Sequence, residues 1–279
     1  MMVQQVKSVK QEYWRYDALP HIELRSTHQS HIGYKAHLHQ ALSVGAIEQG
    51  KTCVNYAGRE YMASAGELVL IEPEAVHSCN PINGGSRSYH MLYLDTAWCL
   101  KRLSSLLSLP VERIYCNSFA IREPTLFAQY LTLVHQLQQG NVEQIPELLD
   151  RFTFTLFSRY CSSGASGEPE REVTLYMRQR LLENLLAPPS LSQLAEELSL
   201  RPETLIRIFF HDVGITPKAF VNNLRIEYAK QLLRQGEDIV DVAQSTGFSD
   251  QSHFHKLFVS NTAATPGQYQ LSRSISDNH

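Results

Sequence analysis

The 279 residues predict an α+β chain of two domains, with a β-rich first half and a helical second half. Three observations carry this reading. From about Ile22 to Leu94 the apolar residues fall in short β-prone runs cut by glycine and asparagine turns. After Asp95 the apolar spacing becomes helical, and towards the end two helix pairs of similar pattern follow one another. A chain of this length has room for two cores.

The first runs are Ala41–Ile47, Lys51–Tyr56, Gly66–Ile71 and Ser88–Leu94, punctuated by Gly50, Asn55-Tyr56-Ala57-Gly58, Ala65-Gly66 and Asn83-Gly84-Gly85. Many short strands with regular turns predict a small β-barrel or jelly roll. His37-Leu38-His39, read as a strand, places two imidazoles on one face, because side chains alternate along a strand. A third histidine, His77, follows Gly66 and Pro73, with Asn80 just beyond. This pair of patterns resembles the two motifs of the cupin fold, and predicts a cupin-like N-terminal barrel. Enzymatic cupins carry a metal-binding Glu shortly after H-x-H; here Ala41, Leu42, Ser43 and Val44 hold that place. His37, His39 and His77 therefore suit a three-histidine metal site, a polar ligand pocket or a structural cluster. The reading adopted is effector binding by these three, with no catalytic residue, metal or cofactor. Because imidazole titrates near neutral pH, an effector touching them is expected to respond to pH between about 6 and 8.

Helical spacing then covers Thr96–Leu107, Glu123–Gln139 and Gln144–Tyr160. Leu126, Tyr130, Leu133, Val134 and Leu137 form one stripe; Leu148, Leu149, Phe152, Leu156 and Phe157 form another. Such stripes pack on their own domain or meet a second copy. Ser162 to Pro169 reads as a flexible linker, which sets the expected units at residues 1–161, 162–171 and 172–279.

In the second half, Leu191–Leu200 and Arg201–Asp212 read as one helix-turn-helix, burying Leu205, Ile208 and Phe209. Ile239–Thr246, Gly247 and a helix from about Asp250 to Val259 read as another, with Ser249 or Asp250 as the cap and Phe254, Leu257 and Phe258 buried. Gly214-Ile215-Thr216-Pro217 closes the first and Ala264-Thr265-Pro266 the second. Phe220–Leu233 joins them as a helix with Leu224, Tyr228 and Leu232 in a stripe. The last helix turns Gln251, Ser252, His255 and Lys256 outward, side chains able to bond base edges or phosphates.

Two tandem helix-turn-helices joined by one helix resemble the DNA-binding domain of the AraC family of transcriptional regulators. Ala243, Gly247-Phe248-Ser249-Asp250-Gln251-Ser252, Phe254, Lys256, Phe258, Pro266 and Tyr269 fall in register with it. Its first half resembles the sensor domain of the same family in the H-x-H segment, the hairpin at Glu48-Gln49-Gly50 and the Gly66-Glu67-Leu68…Pro73…Val76-His77 stretch. In the first reader unit Ser199 stands where the family often has Gly, and Arg201 where it often has a Ser cap. The resemblance implies double-stranded DNA as partner. Arg201, Glu203, Thr204, Ile206 and Arg207 of the first unit, and Gln251, Ser252, His255 and Lys256 of the second, are the expected contacts. Arg207 is suited to bidentate pairing with guanine. The resemblance also implies a homodimer formed through the helical segment and RNA polymerase as a possible partner; the three clustered histidines suit a small polar or anionic effector.

Composition sets bounds on this. The net charge is −3, and from Val173 onward acids at least match lysines and arginines, so a DNA-binding face must be a local, salt-sensitive patch. No apolar run approaches a membrane span and the start is too polar for a signal peptide, which makes the cytoplasm the expected compartment. Cys53, Cys79, Cys99, Cys116 and Cys161 are odd in number and never in a C-x-x-C pair, and read as reduced core thiols. The competing function is a cupin-fold metalloenzyme with an appended DNA-binding domain; the missing Glu counts against it.

Overall fold

The computed structural model describes residues 10–56, 58–164, 170–271 and 273–275. The first half contains β1 (Lys10–Tyr16), β2 (Ile22–Ser30), β3 (Leu42–Gln49), β4 (Lys51–Tyr56), β5 (Arg59–Ser64), β6 (Leu68–Ile71), β7 (His77–Pro81) and β8 (Arg87–Leu94). After these come α1 (Thr96–Leu107), the two-residue strands β9 (Tyr115–Cys116) and β10 (Ala120–Ile121), α2 (Pro124–Gln139), α3 (Ile145–Tyr160) and β11 (Cys161–Ser162). The second half holds α4 (Glu172–Glu183), α5 (Leu191–Glu197), α6 (Pro202–Val213), α7 (Pro217–Arg234), α8 (Ile239–Ser245), α9 (Gln251–Thr262), α10 (Pro266–Gln270) and β12 (Arg273–Ile275).

Two sheets face each other in a cupin-like sandwich. The larger runs β10-β6-β3-β8-β2-β1-β12 and the smaller β5-β4-β7. The large sheet is buried on both faces, which is why β8 carries no exposed residue. Leu24, Val44, Leu70 and Leu92 pack outward into a core shared with α1, α2 and α3. Their alternate neighbours Arg25, Ile47, Val69 and Met91 point inward, where Thr52, Val54 and Cys79 of the small sheet meet them. The expected stripes on α2 and α3 are thus consumed within their own domain, with Tyr130 stacked edge-on against Phe152.

Several expectations are corrected. Strands β1, β2, β5 and β7 lay outside the runs read from sequence, because β1 and β2 carry charges at positions that the fold buries, such as Glu23 and Arg25. His37-Leu38-His39 is not a regular strand: it is an extended segment with a single bridge, His37 to His77. In α7 Tyr228 is 37% exposed, and Ala229, Lys230 and Leu233 are buried beside Leu224 and Ile226 instead. Residues 165–169 of the expected linker lie outside the described residues. All five cysteines are free, and Cys116 pairs across the β9–β11 ladder with Cys161, whose thiol bond and burial push the Cys116 pKa far up.

The second half packs two helix-turn-helix cores against α7. The first sensor residues to enter these cores are Leu38, in the α4–α6–α7 cluster, and Tyr13, in the α7–α9–α10 cluster. Parallel pairing of β1 with β12 adds a backbone tie between the halves. Among the described residues no helix is long and apolar enough to cross a membrane.

Candidate DNA-binding face and effector cavity

The two reader units are built alike from like chemistry. Helix α5 opens with a capping box between Ser190 and Gln193, and α8 with the carboxylate of Asp238 accepting from Val240 N. Each first helix then ends in a left-handed residue, Ser199 at φ 54° and Gly247 at φ 77°. Leu200 N donates to Ala195 O at 3.0 Å, and Phe248 N to Ala243 O at 3.2 Å, the same closing bond in both turns. The second helices end alike as well, with Gly214 and Ala263 left-handed, followed by Thr216 and Thr265, which cap α7 and α10 ahead of prolines.

The outward faces hold the expected contact residues. Arg201, Glu203, Ile206 and Arg207 of α6 are exposed and Thr204 half-buried; Gln251, Ser252, His255 and Lys256 of α9 are all exposed. Asp250 caps α9 by accepting from His253 N at 2.7 Å, and that bond holds its carboxyl below the usual range. Arg201 occupies the cap position of α6 without capping it, so its side chain is free to extend toward solvent. Sequence reasoning passed over Phe210, 54% exposed and one turn beyond Ile206 and Arg207. It also passed over Arg225. From α7 this guanidinium donates to Leu185 O at 3.0 Å, Leu186 O at 2.9 Å and Gly247 O at 2.8 Å, tying the α4–α5 loop to the turn of the second unit. Ile206 of α6 and Ser249 and His253 of the second unit line one groove with Arg225.

His37, His39 and His77 do meet inside the first half. Their ring centroids lie 4.4–5.1 Å apart, and all three are buried. The Nδ1 atoms are committed outward: His37 to Lys35 O at 2.7 Å, His77 to Ala75 O at 2.9 Å, and His39 to the Glu227 carboxylate at 3.3 Å. Because carbonyls and carboxylates only accept, each Nδ1 carries the proton and each Nε2 keeps its lone pair. Desolvation, reinforced by the neighbouring imidazoles, drives His37 and His39 well below the ordinary histidine pKa; burial takes His77 to about 4. Burial therefore favours the neutral form of all three rings.

Three imidazole donors within 4.8 Å of one another have the number for a metal site, but the surrounding charge does not suit a cation. Arg25 and Arg87 line the same cavity, 6% and 1% exposed, and no carboxylate lines it among the described residues. The positions after His39 supply none either.

Sensor and reader touch around this cavity. Leu38 N donates to Asn223 Oδ1 at 3.3 Å, Arg25 Nη1 to Thr262 O at 3.4 Å, and Arg178 of α4 pairs with Glu74. Lys230 bonds Glu227 at 3.0 Å and sits over the Tyr93 ring.

Comparison with known proteins agrees with this layout. Residues 19–151 match the AraC-like ligand binding domain, and residues 194–272 a helix-turn-helix domain. The chain is 27% identical over 254 residues to the HTH-type transcriptional regulator YbfI of Bacillus subtilis (strain 168), covering 84% of this chain and 86% of that one. It is 26% identical over 253 residues to the transcriptional activator RhaS of Enterobacter sp. (strain 638), covering 87% and 90%. Among solved structures, ToxT from Vibrio cholerae strain SCE256 with an unsaturated fatty acid bound superposes with a TM-score of 0.54 at 14% identity, covering 99% of this chain and 100% of that one; this likeness concerns the fold. With an effector-type sandwich in front and two stapled helix-turn-helices behind, the chain belongs to the AraC family of DNA-binding transcriptional regulators.

Proposed function

We propose that this regulator reads specific double-stranded DNA with α6 and α9 in successive major-groove segments, and that a small polar or anionic effector among His37, His39 and His77 governs that reading. The observation that carries the proposal is the pair of matched helices with exposed polar stripes, α6 and α9, flanking one groove in which Arg225 ties the α4–α5 loop to the turn before α9. Arg207, Gln251, Ser252, His255 and Lys256 are assigned to bases and adjacent phosphates, with Glu203, Thr204 and Ile206 alongside. Arg201, at the N-terminus of α6, is suited to a phosphate.

Residues 1–161 are the sensing and dimerising unit, 162–171 the linker and 172–279 the reader. Support for coupling between the units comes from His39, whose ring faces the cavity while its Nδ1 binds Glu227 on the helix that joins the two recognition units. The RhaS relative is named as an activator and the ToxT structure as fatty-acid bound; activation through RNA polymerase and an anionic effector are compatible with both. A homodimer in the cytoplasm completes the reading. Because the α2 and α3 stripes are already buried, the pairing surface must use other residues, and Phe154 of α3, 60% exposed, is the apolar candidate.

Genome-wide mapping of occupied DNA, repeated with His37→Phe/His39→Phe, tests the reading. The double variant is expected to occupy the same sites and to lose any effector response; an unchanged response returns these histidines to a structural role.

A further inference from the structure

The interior of the sandwich holds an arrangement that the histidines alone do not explain. Arg25, from β2, and Arg87, at the start of β8, approach one pair of tyrosines from the same cavity. The Arg25 guanidinium lies 5.5 Å from the Tyr34 ring and 5.7 Å from that of Tyr89; the Arg87 guanidinium lies 5.9 and 5.2 Å from them. Arg87 donates to Thr52 Oγ1, Ile32 O and Cys79 O. In both arginines Nε is buried and has no hydrogen-bond partner among the described residues. Two charges withdrawn from water without a carboxylate beside them are costly, and each leaves a donor unused.

The histidines supply the opposite chemistry. With every Nδ1 proton spent on an outside acceptor, the three Nε2 atoms are acceptors only. The cavity thus sets positive donors against neutral acceptors. A bare anion answers the arginines and leaves the imidazoles unpaired. A neutral polyol answers the imidazoles and leaves the guanidiniums uncompensated. The cavity is small and suits a head group of a few heavy atoms.

The geometry points to a small carboxylate carrying a hydroxyl or ammonium on the adjacent carbon as the effector, its carboxylate held by Arg25 and Arg87 and its donor by the three imidazoles. This rests on the effector reading given above and narrows it to hydroxy acids and amino acids.

Four probes of similar size separate the contributions in thermal unfolding of the full chain: glycolate, glycine, acetate and ethylene glycol. Glycolate or glycine is expected to raise the melting temperature saturably, and which of the two does so identifies hydroxyl or ammonium. Acetate should bind about tenfold or more weakly, and ethylene glycol should leave the temperature unmoved. Arg25→Met should abolish the shift. Should that variant fail to fold, Arg25→Lys retains charge without the planar fork and is expected to weaken glycolate or glycine by about tenfold. Equal responses to acetate and glycolate, no response to either acid, or a full response in both arginine variants would overturn the inference. If ethylene glycol alone stabilises the protein, and His37→Phe/His39→Phe removes that effect, the effector reading stands and the carboxylate assignment falls. Stabilisation by zinc chloride alone, lost in His77→Ala, would replace the carboxylate by a metal.

Discussion

Tyr269, in α10, donates its hydroxyl to the carboxylate of Glu23, in β2, at 2.9 Å. Glu23 is buried, and burial alone would favour its protonated form. Arg15, Lys230 and Arg234 overcome that penalty and hold its carboxyl far below the usual range. Arg15 also stacks its guanidinium 4.1 Å from the Tyr269 ring centre. One acid of the sensor thereby gathers groups from the connecting helix α7 and from α10 of the reader.

Removing that hydroxyl should loosen the two halves. Tyr269→Phe keeps the ring and its stacking but leaves a buried carboxylate short of a donor, for a loss of about 1.5–3 kcal/mol in unfolding free energy. Denaturant melts provide the value. Limited proteolysis should become faster across residues 162–171, and an unaltered cleavage rate would show that the bond does not hold the halves together.

Base reading and phosphate anchoring are separable at α6. Arg207→Ala is expected to relax base preference at one position by about 1–3 kcal/mol. Arg201→Ala should weaken specific and random DNA equally and reduce the salt dependence of binding. Competition binding at two salt concentrations distinguishes these outcomes.

The matched turns respond oppositely to small changes. At Gly247 the backbone is left-handed, and an added Cβ would lie 3.1 Å from Leu186 O and from the Arg225 guanidinium. Gly247→Ala should therefore cost about 1 kcal/mol or more and disturb the fastening of the two units. Ser199, at φ 54°, bears the same backbone strain in the first turn. Ser199→Gly relieves it, and a change within about 1 kcal/mol in the stabilising direction is expected from thermal melts.

Acid should destabilise the sensor before its carboxylates titrate. His77 faces His37, His39 and Arg25, with the Ala75 carbonyl on Nδ1; desolvation takes its pKa from about 6.5 to about 4. The unfolded chain binds the proton more readily, so stability is full above pH 6.5 and falls as the pH drops toward 4. His77 alone accounts for about 3 kcal/mol of that loss. His77→Gln should flatten the decline, which sets in as the pH falls through about 6.5, where the histidine of the unfolded chain takes up its proton.

The reader was legible in the sequence because its chemistry is local. Helix caps, left-handed turn residues and apolar spacing lie within a dozen residues of each other, and helices α5 to α9 fall where the pattern places them. The sensor was less so. Ala41–Ile47 and Ser88–Leu94 are apolar on both faces and read as strands, whereas β2 buries Glu23, Arg25, Ser26 and Thr27 and reads as a polar segment. Their burial is made tolerable by partners far along the chain, such as Tyr269, Thr262 and His90. The histidine cluster was visible from motif spacing; the buried arginines beside it were not, since neither lies in a pattern that spacing can mark.

The three carbonyl bonds of Arg225 also bear on what counts as an operator. They tie α7 to the loop before α5 and to the turn before α9, so the spacing between the two recognition helices is set within the protein. One extra base pair between the two contacted segments turns the second by ~34° around the DNA axis and carries it further along the groove. A rigid reader cannot follow that displacement. Single-base insertions at the centre of a binding site should thus be as harmful as changing the bases themselves, so sites with variable spacing fall outside its regulon.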